Sequence, residues 1–232
     1  MIIYDGVALE NIAPVMVEDV RPGPIQMSAT ARQRPIRWGA DFVRMTGGSR
    51  SVVVTFALFA QNIDARQKWL MEITKWARKN EPKRLMIPGH DGLYLECLCT
   101  GLPEPSTRQW WEDRLRLTFA TFDNPYWTSI NEKNAACGTA FTVLGSAPPI
   151  MRIEATRDSA GANQAYSNGA QSMTFSSIPA GNMVIDLNRQ TAAVNGTSFM
   201  AAYSPASSFV QPMTGAQTIT GAGTVYWRER WE

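Results

Sequence analysis

The sequence predicts a mainly β protein in which an α+β domain precedes a β-sandwich. A single segment has a clear helical period, and short stretches of alternating apolar and polar residues recur through most of the remaining chain. The composition also changes along the chain, since residues 1–134 carry 17 basic and 15 acidic side chains whereas residues 135–232 carry five of each. We therefore predict two domains, 1–134 and 135–232, with a linker near residues 131–138.

The helical segment lies within residues 62–80, and the helix itself is predicted over 64–80. Five apolar residues recur there at spacings of three and four, which places them on one stripe of a helix. They are Trp69, Leu70, Ile73, Trp76 and Ala77. Asp64 and Gln67 have the spacing of a capping box at the helix start, and Pro82 prevents the helix from continuing. A lone helix with two tryptophans is expected to pack on a sheet.

The strands of the first domain are predicted from plain alternation of apolar and polar residues. Residues 51–59, 93–99 and 114–119 each place their apolar side chains on one face. These faces consist of Val52, Val54, Phe56 and Leu58; of Leu93, Leu95, Cys97 and Cys99; and of Leu115, Leu117 and Phe119. The first domain is therefore predicted to be an antiparallel sheet or split barrel with the helix laid on it.

The second domain shows short strand candidates between turn signals, a pattern typical of an antiparallel β-sandwich. The candidates are Ile150–Ala155, Ser172–Phe175, Met183–Leu187, Ala192–Asn195, Ser208–Val210 and Thr224–Trp231. Residues 188–191 are interpreted as a hairpin turn. In the last strand, Val225, Trp227 and Trp231 share one face, and we expect that face to point into the sandwich.

A basic stretch at residues 25–50 is interpreted as an extended arm or hairpin with its tip near Gly39 or Gly47. Two functional interpretations remain open: a solvated hairpin, or an arm that reaches a neighbouring subunit. The candidates for subunit contacts are Arg32, Arg34, Arg37, Trp38 and Arg44.

Charge and composition exclude several classes of protein. The net charge of +2 lacks the basic excess of a nucleic-acid or anionic-membrane binder. No apolar run approaches the roughly 20 residues that span a bilayer. The start, MIIYDGVAL, does not have the pattern of a signal peptide, so we expect synthesis and retention in the cytoplasm. Three cysteines and one histidine do not form a disulfide framework or a zinc site, and we expect buried free thiols.

Catalytic motifs are not found, and the protein is predicted not to be an enzyme and to need no cofactor or metal. His90 lies in a Pro-Gly-His-Asp-Gly turn and is interpreted as a solvated loop residue. The sequence has no nucleophile elbow, P-loop or dinucleotide fingerprint. A glycan-cleaving enzyme would have to use carboxylates such as Glu112, Asp113 and Asp123.

Tryptophans supply the main alternative function. Exposed Trp110, Trp111 and Trp127 would offer flat platforms for sugars, as in a carbohydrate-binding module that recognises host-wall glycans. For Trp110 and Trp111, core or edge packing is an equally good interpretation.

The order of several segments resembles a known family. They are the helix DARQKWLMEITKWARKN, the strand LYLECLCTG, the long strand RLRLTFATFDNPYWTS, the hairpin MVIDLNRQTAAVNGTS and the end TVYWRERWE. Over essentially the whole chain this order is similar to the distal tail protein (Dit) family of long-tailed, non-contractile bacteriophages. No segment in this set is a catalytic signature.

The resemblance implies a structural virion protein at the tail tip. The first domain would form a homo-hexameric ring that joins the major tail tube protein to the tail-tip or baseplate hub protein. The second domain would be a galectin-like sandwich, with receptor-binding proteins as further partners. DNA would pass through the ring without sequence-specific binding, and no membrane would be bound. The family supplies no catalytic residues.

Overall fold

The computed structural model describes residues 1–33, 40–103, 112–161 and 163–232, with the backbone alone for 27–33, 40–47, 112 and 113. The chain forms two compact units that divide between Trp127 and Thr128. The predicted boundary after residue 134 falls inside a strand, Lys133–Ala136, that pairs with the last strand of the second unit. That pairing places the start of the predicted linker in the second unit.

The first unit is built on an antiparallel sheet with strand order β3-β6-β9-β8-β7-β1-β2. Its strands are β1 (Ile3–Tyr4), β2 (Val7–Ala8), β3 (Val15–Pro22), β4 (Met27–Gln33), β5 (Ala40–Gly47), β6 (Ser51–Phe59), β7 (Lys83–Met86), β8 (Leu93–Gly101) and β9 (Glu112–Thr121). A short 3-10 helix, Leu9–Asn11, follows β2, and β10 (Trp127–Ser129) carries the chain from the first unit into the second.

Strand β6 is central to the core of this sheet. Its apolar face, Val52 to Leu58, is no more than 1% exposed, as predicted from the alternation. Across the ladder, Val54 lies opposite Leu117 and Phe56 opposite Leu115, both also buried. Cross-strand pairs of this kind stabilise a sheet because apolar side chains on one face are removed from water together.

The helix α1 (Ile63–Ala77) packs on this sheet, as predicted, but it ends three residues before the predicted end at residue 80. The ring of Trp76 lies edge-on to Tyr4 and Phe119, with ring centroids 5.6 and 6.4 Å apart. Its indole N–H donates a 3.0 Å hydrogen bond to the carbonyl of Val7. One side chain thus joins the helix to β1, β2 and β9, and its polar atom is satisfied inside the core.

The predicted cap of the helix is wrong. The N-cap is Asn62, whose side-chain oxygen accepts a 2.7 Å hydrogen bond from the backbone N–H of Ala65. Asp64 instead lies inside the first turn, where a negative charge suits the helix dipole. Asparagine is as good an N-cap as serine or aspartate, and its side chain reaches the same donor position.

Replacing Asn62 with alanine is expected to lower the free energy of unfolding of the first unit by about 1 kcal/mol. The substitution leaves the N–H of Ala65 without its side-chain acceptor. Asp64→Ala is the matched control and should cost less, since that side chain does not form the cap. Urea unfolding followed by circular dichroism measures both changes, and a larger loss for Asp64→Ala would contradict the assignment.

A separate hairpin of the first unit consists of β4 and β5, which pair in antiparallel register from Met27 opposite Gly47 to Gln33 opposite Ala40. This confirms the predicted hairpin in residues 25–50. The predicted tip at Gly39 lies outside the described residues. The alternative turn at Gly47 is excluded, because Gly47 pairs at the base of the ladder.

The second unit is a β-sandwich. Its strands are β11 (Lys133–Ala136), β12 (Ala140–Val143), β13 (Ala147–Arg157), β14 (Gln164–Ser167), β15 (Ser172–Phe175), β16 (Gly181–Asp186), β17 (Thr191–Val194), β18 (Thr197–Ser198), β19 (Gly215–Thr218) and β20 (Thr224–Trp231), with a 3-10 helix at Met200–Ala202. The main sheet has the antiparallel order β18-β17-β16-β13-β20-β11. The pairs β12-β19 and β14-β15 form the facing layer.

The sandwich core draws side chains from both layers. Ile153, Ile185 and Val225 of the main sheet lie in one apolar cluster with Tyr166 and Phe175 of the facing strands. One predicted strand, Ser208–Val210, is wrong, because it forms no strand in the structure. Its apolar residues Phe209 and Val210 are nevertheless buried in the core, so burial without pairing explains the apolar pattern.

The inward face of β20 differs from the prediction in one respect. Val225 and Trp227 are buried as expected, whereas Trp231 is only half-buried. Between them Glu229 points inward and is 5% exposed. Its carboxylate accepts hydrogen bonds from the Lys133 ammonium at 2.7 Å and from the backbone N–H of Leu144 at 3.1 Å. A buried carboxylate is tolerated here because both a charge and a hydrogen-bond donor reach it.

Candidate functional site

The predicted subunit-contact residues divide into two groups. Arg32 and Arg44 lie on the paired strands β4 and β5, where Arg32 is opposite Asp41 and Arg44 is opposite Thr30. Arg34, Arg37 and Trp38 lie outside the described residues. The contact role of these residues remains a prediction.

Trp127 does not belong to an exposed tryptophan platform. Trp127 is 3% exposed, so its ring cannot offer an open face to a sugar. It stacks on His90, with ring centroids 4.0 Å apart, and the Arg50 guanidinium lies 5.9 Å from the ring centroid. Trp127 is therefore a packing residue, and its predicted place in the sugar platform is wrong. Trp110 and Trp111 lie outside the described residues.

The surroundings of His90 also differ from the prediction of a solvated loop residue. The side chain is half-buried, and its Nδ1 atom has no hydrogen-bond partner among the described residues. A ring held against Trp127 contributes packing between the turn before β8 and the start of β10. Within the described residues, Nδ1 therefore lacks the orienting hydrogen bond that a catalytic histidine uses.

All three cysteines are free thiols. Cys97 is buried, as predicted, whereas Cys99 and Cys137 are only half-buried. Burial raises the pKa of Cys97 well above its ordinary value and that of Cys99 to about 11, and it also raises the pKa of Cys137. The thiols are thus protonated at neutral pH, and a protonated thiol is a poor nucleophile and a poor metal ligand.

Metal sites, catalytic carboxylates and membrane-spanning helices were also considered. Over those residues, no group of three or more His, Cys, Asp or Glu side chains is arranged to hold a metal ion. Asp123 is exposed, and the side chains of Glu112 and Asp113 lie outside the description. The described α-helix has 15 residues, and no helix in the described ranges is long and apolar enough to cross a bilayer.

A cluster of charged side chains lies on the outward face of the main sheet of the second unit. The Arg152 guanidinium donates to Glu132, at 2.9 Å from Nη2 to Oε2, and to Glu154, at 2.6 Å from Nε to Oε1. Its Cζ atom stacks 4.7 Å from the ring centroid of Tyr226. Arg228 lies 3.4 Å from the same Glu132 carboxylate. The alternation in β13 and β20 predicts that these side chains face outward, but not that they meet, because strand order is not visible in the sequence.

Acidification is expected to weaken the second unit through Glu132. The hydrogen bond from Arg152 is the main cause that lowers the pKa of this carboxyl below its ordinary value of 4.5. A carboxylate with a lowered folded-state pKa contributes stability above pH 4.5, and that contribution is lost as the pH falls through the lowered pKa. Since the pair is partly exposed, the contribution at neutral pH should not exceed about 1 kcal/mol.

Urea unfolding of wild type and Glu132→Gln at a series of pH values tests this link. The difference in the free energy of unfolding should shrink as the pH is lowered from about 7 to about 3, because the wild-type carboxylate becomes protonated. Asp158→Asn in the same unit is a control outside the cluster. A wild-type to Glu132→Gln difference that stays constant over this range would contradict the assignment.

Comparison with known proteins rests on the fold rather than on the sequence. No known family profile matches the chain, and no curated protein matches it. Among solved structures, the chain is similar to the crystal structure of the Dit (gp 19.1) protein of phage SPP1, with a TM-score of 0.81 and 12% sequence identity. The alignment covers 100% of this chain and 98% of that one.

Two further solved structures, both of the phage P2 baseplate in its activated conformation, align less closely. The structure with calcium gives a TM-score of 0.48 at 7% identity, over 94% of this chain and 90% of that one. The structure with strontium gives 0.42 at 7% identity, over 93% and 90%. The chain therefore has the fold of a phage tail hub protein, on the strength of the first alignment. That protein, SPP1 Dit, is described as a paradigm of the hub adsorption apparatus in phages that infect Gram-positive bacteria.

Proposed function

We propose that this chain is the distal tail component of a long-tailed, non-contractile bacteriophage. Six copies form a ring that joins the major tail tube protein to the tail-tip hub protein, and the ring lies at the tip of the virion tail. The observation that carries the proposal is the full-length alignment with SPP1 Dit, in which both units take part. The role is structural, and it supports host attachment and DNA delivery by holding the other tail proteins together.

The sheet of the first unit offers a surface for ring assembly. Strand β3 pairs with β6 on one side, and no strand in the described ranges pairs with its other side. The open edge of this strand presents backbone N–H and C=O groups, except for the missing N–H of Pro22, and a neighbouring chain can add a strand to them. Met16 on this strand is 53% exposed, so an apolar side chain accompanies the open edge.

Light scattering coupled to size exclusion tests the stoichiometry. We expect a mass near six times the 25.7 kDa chain, either for the protein alone or after mixing with the tube and hub proteins of the same phage. A chain that stays monomeric at high concentration, and associates with neither partner, would contradict the proposal.

A matched pair of substitutions tests the role of the β3 edge. Met16→Lys places a charge at the edge and should lower the assembled mass, because a desolvated lysine opposes strand addition. Met213→Lys changes a side chain of similar exposure, 48%, in the second unit and should leave the mass unchanged. Equal assembly by both variants would exclude this edge from the ring contact.

A further inference from the structure

One end of the sandwich carries a pocket to which both of its layers contribute. The pocket has a volume of about 240 Å³, which is below the range of drug-sized sites and suits a small ligand. Its lining includes Arg157 at the end of β13, Gln164 at the start of β14 and Ala222 from the segment before β20. The pocket therefore takes side chains from the main sheet and from the facing layer.

Strand alternation points Arg157 toward the interior of the sandwich. It has the same parity along β13 as Met151 and Ile153, both of which lie in the apolar core. Arg157 is the last residue of the strand, and its side chain is half-buried. Because a guanidinium stays charged at every pH at which proteins fold, a positive charge is taken partly out of water here.

The Arg157 guanidinium makes a single hydrogen bond within the described residues. Its Nη1 atom donates to Oε1 of the neutral Gln164 at 3.4 Å. The Nε atom is buried without a partner, and neither a hydrogen bond from Nη2 nor an ion pair with a carboxylate is formed within those residues. Nε and Nη2 form one edge of the guanidinium, and the two N–H groups of that edge match the two oxygens of a carboxylate.

A second buried donor lies beside Arg157. Tyr166 follows Gln164 by two residues on β14, so both share one face of the strand, and Tyr166 is fully buried. Its hydroxyl has no hydrogen-bond partner among the described residues. Burial raises the pKa of this hydroxyl well above its ordinary value, and the nearby charge of Arg157 acts in the opposite direction. At neutral pH the hydroxyl therefore keeps its proton and, like the guanidinium, is a donor without an acceptor.

The ring of Tyr166 is held in place by the backbone of the segment before β20. A Cβ atom at Gly221 would lie 2.3 Å from Cδ1 of the ring, so the chain at residue 221 passes close to the ring. The φ of Gly221 is +137°, a conformation that favours glycine, and the next residue, Ala222, lines the pocket. A donor on a fixed ring loses little conformational entropy when it binds a ligand.

The two unpaired donors indicate an anionic acceptor as their partner. Buried polar groups are normally paired, and an uncompensated buried charge destabilises a fold. Asp158 also lines the pocket, and its negative charge disfavours a multiply charged anion such as phosphate. The small apolar side chains of Ala155 and Ala222 complete the lining on which the argument depends, and they suit a short carbon chain.

We propose that this pocket binds a small monocarboxylate. The carboxylate accepts hydrogen bonds from Nε and Nη2 of Arg157 and from the Tyr166 hydroxyl, while the carbon chain lies against Ala155 and Ala222. A rotation of the Arg157 side chain, which one 3.4 Å hydrogen bond holds, brings the buried Nε within reach of the ligand. The proposal does not rest on the distal tail assignment.

NMR relaxation of isotopically labelled acetate and propionate tests the proposal on the full chain. A small acid relaxes faster when it binds a protein, whether the protein is a single chain or a ring. At least one of the two acids should show excess relaxation that unlabelled acid removes by competition, with a Kd of about 1 mM or lower. The absence of excess relaxation for both acids would overturn the proposal.

A matched pair of arginine variants locates the binding. Arg157→Gln removes the charged edge and should weaken binding at least about tenfold, the loss expected for a charge-assisted hydrogen bond. Arg189→Gln makes the same change of charge at an exposed turn of the second unit and should leave binding unchanged. Undiminished binding by Arg157→Gln, or equal weakening by both variants, would overturn the proposal.

Tyr166→Phe keeps the ring and removes only the hydroxyl. It should weaken binding about tenfold, yet without ligand it should not lower the thermal stability, because the hydroxyl has no partner among the described residues. This variant replaces Arg157→Gln if circular dichroism shows that the arginine variant is not folded. Undiminished binding by folded Tyr166→Phe would overturn the proposal.

Discussion

Replacing Phe119 with alanine is expected to lower the free energy of unfolding of the first unit by about 3–5 kcal/mol. Phe119 is fully buried on β9, with its ring centroid 5.1 Å from Tyr4 and 6.4 Å from Trp76. Its removal leaves a cavity at the point where the sheet meets the helix, and it also removes two edge-to-face contacts. Because Trp76 of α1 packs edge-on against Phe119, we expect the helix to be destabilised along with the sheet.

Phe122 is the matched control for this prediction. It lies three residues further along the chain and is 53% exposed, so Phe122→Ala should change the free energy of unfolding by no more than about 0.5 kcal/mol. Urea unfolding followed by far-UV circular dichroism measures both variants. Similar small losses for the two substitutions would show that the aromatic cluster of Tyr4, Trp76 and Phe119 is not the core of the first unit.

Replacing Gly223 with alanine is expected to cost about 2–5 kcal/mol in the second unit, from backbone strain and overpacking together. Its φ is +107°, a conformation that L side chains rarely adopt. A Cβ atom would also lie 2.2 Å from the carbonyl oxygen of Glu154 and 2.7 Å from the Cβ of Ala155. The first of these is a backbone atom of the paired strand β13, so relief requires the strands to separate.

A substitution at Gly169 separates the cost of backbone strain from the cost of overpacking. Its φ is +88°, but a Cβ atom there would meet nothing within 4 Å. Gly169→Ala should therefore show the backbone strain alone, about 1–2 kcal/mol. Thermal and urea unfolding of the two variants should place Gly223→Ala clearly below Gly169→Ala in stability. Equal losses would contradict the close approach of Gly223, which immediately precedes β20, to β13.

Alternation and helical periodicity predict the strands and the helix that have one buried face and one solvent-exposed face. Strand β6 is predicted to its end residues, and Val52, Val54, Phe56 and Leu58 all lie in the core. The helix is found with Ile73, Trp76 and Ala77 buried. In each case a regular pattern of burial leaves a regular pattern in the sequence.

Short strands of small or polar residues are not predicted. Strand β14 has the sequence Gln-Ala-Tyr-Ser and β19 has Gly-Ala-Gln-Thr, so each buries one side chain and shows no alternation. The opposite error occurs at Phe209 and Val210, which are buried without forming a strand. Buried residues are apolar in the sequence whether or not they belong to a strand. The pairing of short strands leaves almost no pattern in the sequence.

Candidate sites are harder to predict than elements because they depend on strand order. Trp127 is a candidate sugar platform in the sequence, yet it is buried and stacks on His90 from a distant turn. Tyr226 attracts no special attention in the sequence, yet β13 brings Arg152 onto its ring. Neither arrangement can be inferred from local patterns, since each is made by residues far apart in the chain.

The central claim is that copies of this chain close into a ring, and cryo-electron microscopy tests it most directly. The purified protein should be imaged alone and together with the tail tube protein of the same phage. We expect closed rings with six-fold symmetry and a central opening in at least one of the two samples. Isolated single chains, or assemblies without six-fold closure, in both samples would contradict the claim.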